Sequence, residues 1–171
     1  SISYAGVRLA ERVVGTLRER RVLLIGAGET GQLVAQALRT VGVGDLAIAY
    51  RIAVRAEDLA SSLGGRPIPF LEIEMALAAT DIVICATDSP EFIITADMTS
   101  AAREWRERPL FIFDLAVSRD VDPQVATQDA VKLFNIDDLA LIAEENLEER
   151  HRAAIAAESM VAAELTLFMG W

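Results

Sequence analysis

Apolar positions along the chain follow two rhythms that alternate. Continuous short runs, with Val22 to Ile25 as the first, read as strands buried on both faces. "DLAIAY" (45–50), "DIVICATDSP" (81–90, a strand and its turn), "LFIFDLAV" (110–117) and "AVKLFNI" (130–136) repeat that pattern. "RPIPF" (66–70) is a shorter run whose prolines suit a sheet edge. Between them the spacing turns helical. Leu33, Val34, Ala37, Leu38 and Val41 share one face, "AVRAEDLASSLGG" ends on Gly64 and Gly65, and "LEIEMALAAT" is a further short helix. Ahead of the first strand, residues 3–17 place Val7, Ala10, Val13, Val14 and Leu17 on one face, with Ser3 as the expected cap.

Strands alternating with helices predict an α/β fold, a Rossmann-type doubly wound parallel sheet. Right-handed crossovers give the expected strand order 3-2-1-4-5-6. Ligands in such sheets bind beyond the carboxyl ends of the strands. The residues following Ile25, Ala49, Ala86 and Asp114 therefore carry the candidate chemistry.

From Asp137 the pattern changes. No proline occurs, and no glycine until Gly170, while Leu147, His151, Ala154, Val161, Leu165 and Phe168 recur at a spacing of three or four, interrupted by Glu158. The expectation is one long C-terminal helix with an apolar seam suited to a partner. The acidic group Glu144, Glu145, Glu148 and Glu149 reads as its solvated face.

Gly26, Gly28 and Gly31 form G-x-G-x-x-G between the first strand and the following helix, the context that dinucleotide binding requires. Gly26 permits the turn, Gly28 admits a pyrophosphate, and Gly31 lets helix and strand approach. Ala27, Glu29 and Thr30 complete the turn, whose free amides and helix dipole favour phosphate. NAD-binding units place an acid at the end of the second strand. Here the sequence is Tyr50-Arg51-Ile52, with no acid before Glu57 and with Arg55 one helical turn on. Arg51 is thus placed for the 2′-phosphate of NADPH. Thr87 follows the fourth strand and is a candidate for the ribose. Ala116 and Val117 follow the fifth, with backbone groups for the nicotinamide.

No catalytic residue is expected. Cys85 is the one cysteine and lies inside a strand, where thiolate is disfavoured. His151, the one histidine, falls on the terminal helix, and a single Cys and His make no metal site. A net charge of −10 argues against a nucleic-acid footprint on this piece. The 53% hydrophobic and 25% charged composition is that of a globular protein, with no run long enough for a membrane span. The lone cysteine fits a reducing compartment. The chain opens Ser-Ile-Ser without Met and ends inside a helical pattern, which reads as a piece of something longer.

Taken together, "SISYAGVRLAE", "VLLIGAGETG", "DIVICATDSP", "RPLFIFDLAVSRDVDP" and "FNIDDLALIAEENLEERHRAAIAAE" resemble glutamyl-tRNA reductase over nearly the whole chain. The resemblance implies a cytoplasmic enzyme that reduces glutamyl-tRNA to glutamate-1-semialdehyde with NADPH, for tetrapyrrole synthesis. It implies a catalytic domain with the cysteine nucleophile upstream, and a homodimer formed through a long spinal helix. The tRNA is contacted mainly by parts outside this chain. On that basis residues 1–18 are a linker helix, 19–136 the NADPH domain and 137–171 the start of the spine. Tyr50 and Ile52 stand where the family commonly has Asn and Thr, and Ser118 where it has Pro. Two other readings also accommodate the pattern: the cofactor domain of a shikimate dehydrogenase-like enzyme, and a non-catalytic nucleotide-sensing module.

Overall fold

The computed structural model describes residues 1–169. Six parallel strands form one sheet: β1 (Arg21–Ile25), β2 (Asp45–Tyr50), β3 (Arg66–Pro69), β4 (Ile82–Cys85), β5 (Leu110–Asp114) and β6 (Val131–Asn135). Their order is β3-β2-β1-β4-β5-β6, as the right-handed crossovers require. The helices are α1 (Ile2–Val14), α2 (Glu29–Thr40), α3 (Ala53–Leu63), α4 (Ile73–Leu77), α5 (Ala96–Arg103) and α6 (Ile136–Met169).

Strands β1 and β4 are apolar on both faces because both faces are covered. Leu23, Ile25, Val83, Cys85 and Ile112 join Ile73, Leu77 and Ala102 of α4 and α5 in one buried cluster. Val22, Leu24, Ile82, Ile84 and Phe113 alternate with them toward the opposite face and are also buried. Val7 and Ala10 of α1 and Val34 and Leu38 of α2 are buried too, and α1 packs on α2.

Several local expectations are corrected. Helix α1 starts after Ser1, so Ser3 is no cap: it lies inside the helix and its hydroxyl donates to the Thr30 carbonyl at 3.5 Å. Val13 is exposed, and Leu9 takes a buried position instead. The β5 run stops at Asp114, not Val117, because the Asp114 carboxylate takes over the amides of the loop beyond. In place of one helix over 71–80 the chain makes a 3-10 turn (Phe70–Glu72) and then only the short α4 (Ile73–Leu77). Helix α5 was not read from the sequence. Its buried face is Thr99 and Ala102, which leaves no apolar stripe, though the Thr95 hydroxyl caps it by accepting the Met98 amide.

The chain divides into two compact units, one from Ser1 to Ile136 and one from Asp137 onward. The second unit is α6, 34 residues without a break, or about 51 Å of helix. Leu147, Ile155, Val161, Leu165 and Phe168 are exposed along it. The expected end of that helix, Gly170 and Trp171, lies outside the described residues. Among the described residues no helix is long and apolar enough to cross a membrane.

Candidate functional site

At the carboxyl ends of β1, β2, β4 and β5 the structure opens a cavity of about 810 Å³. Gly26, Ala27, Gly28, Glu29 and Thr30 border it on one side; Arg51, Thr87, Ala116 and Val117 border it on others. Gly31 does not line it and stands behind the turn.

The glycines differ in their reasons. Gly26 has φ of +121°, and a Cβ there would lie 2.6 Å from the Ala86 carbonyl oxygen. At Gly31 a Cβ would collide with the Gly26 carbonyl, so α2 could not start where it does. Gly28 is different: a Cβ there meets no protein atom within 4 Å. It caps α2 and borders the cavity, so the space it leaves is open to a ligand's phosphates.

Arg51 lies just beyond β2, exposed, with its guanidinium 4.9 Å from the Phe70 ring centroid. Its Nη2 donates to Ser89 Oγ at 3.4 Å. Phe70 was not singled out in the sequence; the register that pairs Tyr50 with Pro69 brings it here. The side chain of Arg55, one turn into α3, lies outside the described residues.

Thr87 is more committed than expected of a ribose contact. Its hydroxyl donates to Asp120 at 2.5 Å and accepts the Ser89 amide at 3.1 Å. Its own amide donates to the other Asp120 oxygen at 2.9 Å. Asp114 accepts the amides of Ala116, Asp120 and Val121 at 3.0–3.1 Å. Both carboxyls are buried, and burial holds both above the ordinary carboxylate range despite these amides. The turn they hold includes Arg119 at φ +67°. No pattern in the sequence distinguished Asp114 and Asp120 as the anchors of this loop.

Ala116 and Val117 separate. The Ala116 amide is held by Asp114, and its carbonyl accepts the Arg119 amide at 3.3 Å. Val117 is 91% exposed, and neither of its backbone groups has a protein partner among the described residues. Cys85 is fully buried, and burial, then Asp114 and Asp120, push its thiol well above the usual range. His151 is exposed on α6. Among the described residues no group of His, Cys, Asp and Glu is arranged to hold a metal ion.

The model of the family of shikimate / quinate 5-dehydrogenases matches residues 8–142. The chain belongs to that family. Within it, the resemblance to glutamyl-tRNA reductase extends over the whole chain. The glutamyl-tRNA reductase of Rubrobacter xylanophilus is 43% identical over 100% of this chain and 40% of its own length. That of Syntrophobacter fumaroxidans is 45% identical over 100% of this chain and 37% of its own. The solved glutamyl-tRNA reductase from Methanopyrus kandleri superposes with a TM-score of 0.81 at 40% identity, covering 97% of this chain and 42% of that one. The chain thus spans about two fifths of the curated relatives it matches. A quinate dehydrogenase from Corynebacterium glutamicum, solved with NAD, shares the fold at 22% identity and a TM-score of 0.61, over 81% of this chain and 51% of that one. At that identity the likeness concerns the fold alone. A shikimate dehydrogenase-like enzyme is therefore not the favoured reading within this family.

Proposed function

We propose that this chain is the NADPH-binding domain of a glutamyl-tRNA reductase. The single observation that carries the cofactor reading is the end of β2, where Arg51 lines the cavity and the chain following the strand supplies no acid before Glu57. The amides of Glu29, Thr30 and Gly31 at the start of α2, beside Gly28, would hold the pyrophosphate. Arg51 would grip the 2′-phosphate, and the free backbone of Val117 would meet the nicotinamide carboxamide. Thr87 and Ala116 would shape the wall between them. When bound, NADPH supplies a hydride; this domain binds and orients it.

The whole protein would reduce glutamyl-tRNA to glutamate-1-semialdehyde in the cytoplasm, for tetrapyrrole synthesis. The thiol that attacks the activated carboxyl would come from outside this chain, since Cys85 is shut inside the sheet. Residues 1–18 would be the linker, 19–136 the cofactor domain and 137–171 the spine. The exposed seam of α6 would pair with a second copy, and the tRNA would be held mainly by other parts of the enzyme.

Titration of NADPH and NADH against the wild-type chain and Arg51→Ala tests the cofactor reading. A charge-assisted contact to phosphate is worth roughly 1.5–3 kcal/mol, so the mutant should lose about ten- to a hundredfold in NADPH affinity. Its NADH affinity should stay put. Equal wild-type affinities for the two cofactors, or a preference that survives the mutation, would count against it.

A further inference from the structure

We infer that Phe70 is a specificity-determining positioning residue: it fixes the Arg51 guanidinium for a 2′-phosphate and so sets the preference for a phosphorylated over an unphosphorylated dinucleotide. This rests on the reading of the cavity as a dinucleotide site.

The placement follows from strand register. β2 and β3 run parallel with Tyr50 opposite Pro69, so the next residue on each strand, Arg51 and Phe70, emerge side by side at the carboxyl edge. After Pro69 the chain turns into a 3-10 turn, and Phe70 packs against the buried cluster that includes Ile73 and Leu77. The ring is therefore anchored from below and also lines the cavity. The guanidinium lies 4.9 Å from its centroid, within the range of a cation–π contact.

Such a contact uses the face of the guanidinium. Its N–H donors lie in the plane and point outward from the edge, so the ring does not compete with a phosphate for them. Ser89 Oγ accepts from one of those donors at 3.4 Å and steadies the group at its edge. Ser89 is itself buried and held by Thr87 and by the backbone of Glu91. The residues flanking Arg51, Tyr50 and Ile52, make no hydrogen bond to it among the described residues. An arginine at an exposed strand end otherwise samples many rotamers, and ordering it on binding costs affinity. Phe70 removes that cost before the ligand arrives. A dinucleotide without the 2′-phosphate makes no use of Arg51 and is indifferent to the ring.

The test compares Phe70→Leu, which keeps apolar packing but not the π face, with Phe70→Tyr, which keeps both. Fluorescence titration gives the affinities of each for NADPH and NADH, and thermal unfolding checks the fold. Phe70→Leu should weaken NADPH about three- to tenfold, with NADH unchanged within about twofold, and Phe70→Tyr should restore the wild-type ratio. Should Phe70→Leu fail to fold, Phe70→Met makes the same comparison. An unchanged NADPH/NADH ratio in the leucine variant, or equal loss of both cofactors, overturns the inference while leaving the Arg51 assignment standing. A wild-type chain that shows no preference, binds neither cofactor, or keeps its preference in Arg51→Ala overturns the cofactor reading and this inference with it.

Discussion

Thr87 holds Asp120 with two groups at once: its hydroxyl donates to one carboxylate oxygen at 2.5 Å and its amide to the other at 2.9 Å. The loop after β4 is thereby tied to the loop after β5, across the floor of the cavity. Thr87→Val keeps the shape but leaves a buried carboxylate oxygen short of its donor. The expected cost is about 1.5–3 kcal/mol in a denaturant titration, with Thr87→Ser close to wild type. A valine variant as stable as wild type would mean the clamp contributes nothing.

Gly28 and Gly26 should respond to alanine in opposite ways. At Gly28 a Cβ meets nothing within 4 Å and φ is −80°, so alanine fits the free protein. Thermal stability should hold, while cofactor affinity falls by about tenfold or more as the Cβ enters the phosphate space. At Gly26 a Cβ would press on the Ala86 carbonyl at 2.6 Å in a φ that alanine disfavours. That variant should lose stability first, by about 1–3 kcal/mol.

Acid should weaken the protein through Asp81 in particular. Burial pushes its carboxyl upward, but the Arg21 guanidinium and amide, with Arg108 beyond, outweigh burial and hold it below its ordinary value of 3.8. Arg21 Nη2 lies 3.2 Å from Asp81, whose side chain is 3% exposed. A lowered folded value means this stabilisation is present above pH 3.8 and is lost as pH falls through the folded value. Asp114 and Asp120 have the opposite sign. Their folded values are raised, so the burial of their charges costs stability at higher pH, and that cost is relieved as pH falls through those values toward 3.8. Asp81→Asn should therefore flatten the acid limb of the stability–pH curve, whereas Asp120→Asn should leave that limb in place. Arg21 is 47% exposed, so solvent screening limits the Asp81→Asn loss at neutral pH to about 1–2 kcal/mol.

Cys85 should resist alkylation. Fully buried, with burial and then Asp114 and Asp120 raising its thiol, it presents little thiolate to iodoacetamide. Labelling of the folded chain should be at least about tenfold slower than in denaturant. NADPH oxidation with glutamyl-tRNA should be absent from this chain alone. Turnover that disappears in Cys85→Ser would place the nucleophile in this sheet after all.

What the sequence by itself determined is whatever depends on neighbours along the chain. The glycine turn was legible because strand, glycines and helix are contiguous, although only Gly31 owes its place to backbone close by in the chain; Gly26 is hemmed in by the Ala86 carbonyl and Gly28 by no protein atom. The doubly wound order followed from apolar runs alternating with helical spacing, since only a sheet covered on both faces accepts such runs. The length of α6 was legible because no proline or glycine interrupts it before its end. The position of Arg51 at the carboxyl end of β2 was legible as well, because it follows the second apolar run directly. The tertiary structure alone decided which groups meet across the sheet. Phe70 reaches Arg51 through the pairing of Tyr50 with Pro69, and Asp120 reaches Thr87 across 33 residues of chain. It also decided that Ala116 is spoken for and Val117 is open, because the Asp114 carboxylate claims one amide of that loop and not the next. Helix α5 escaped the sequence reading for a related reason: its buried face is made of Thr99 and Ala102, too small and polar to leave a periodic signal. Local pattern records what a segment buries, and only the packed strands fix which side chains share a register.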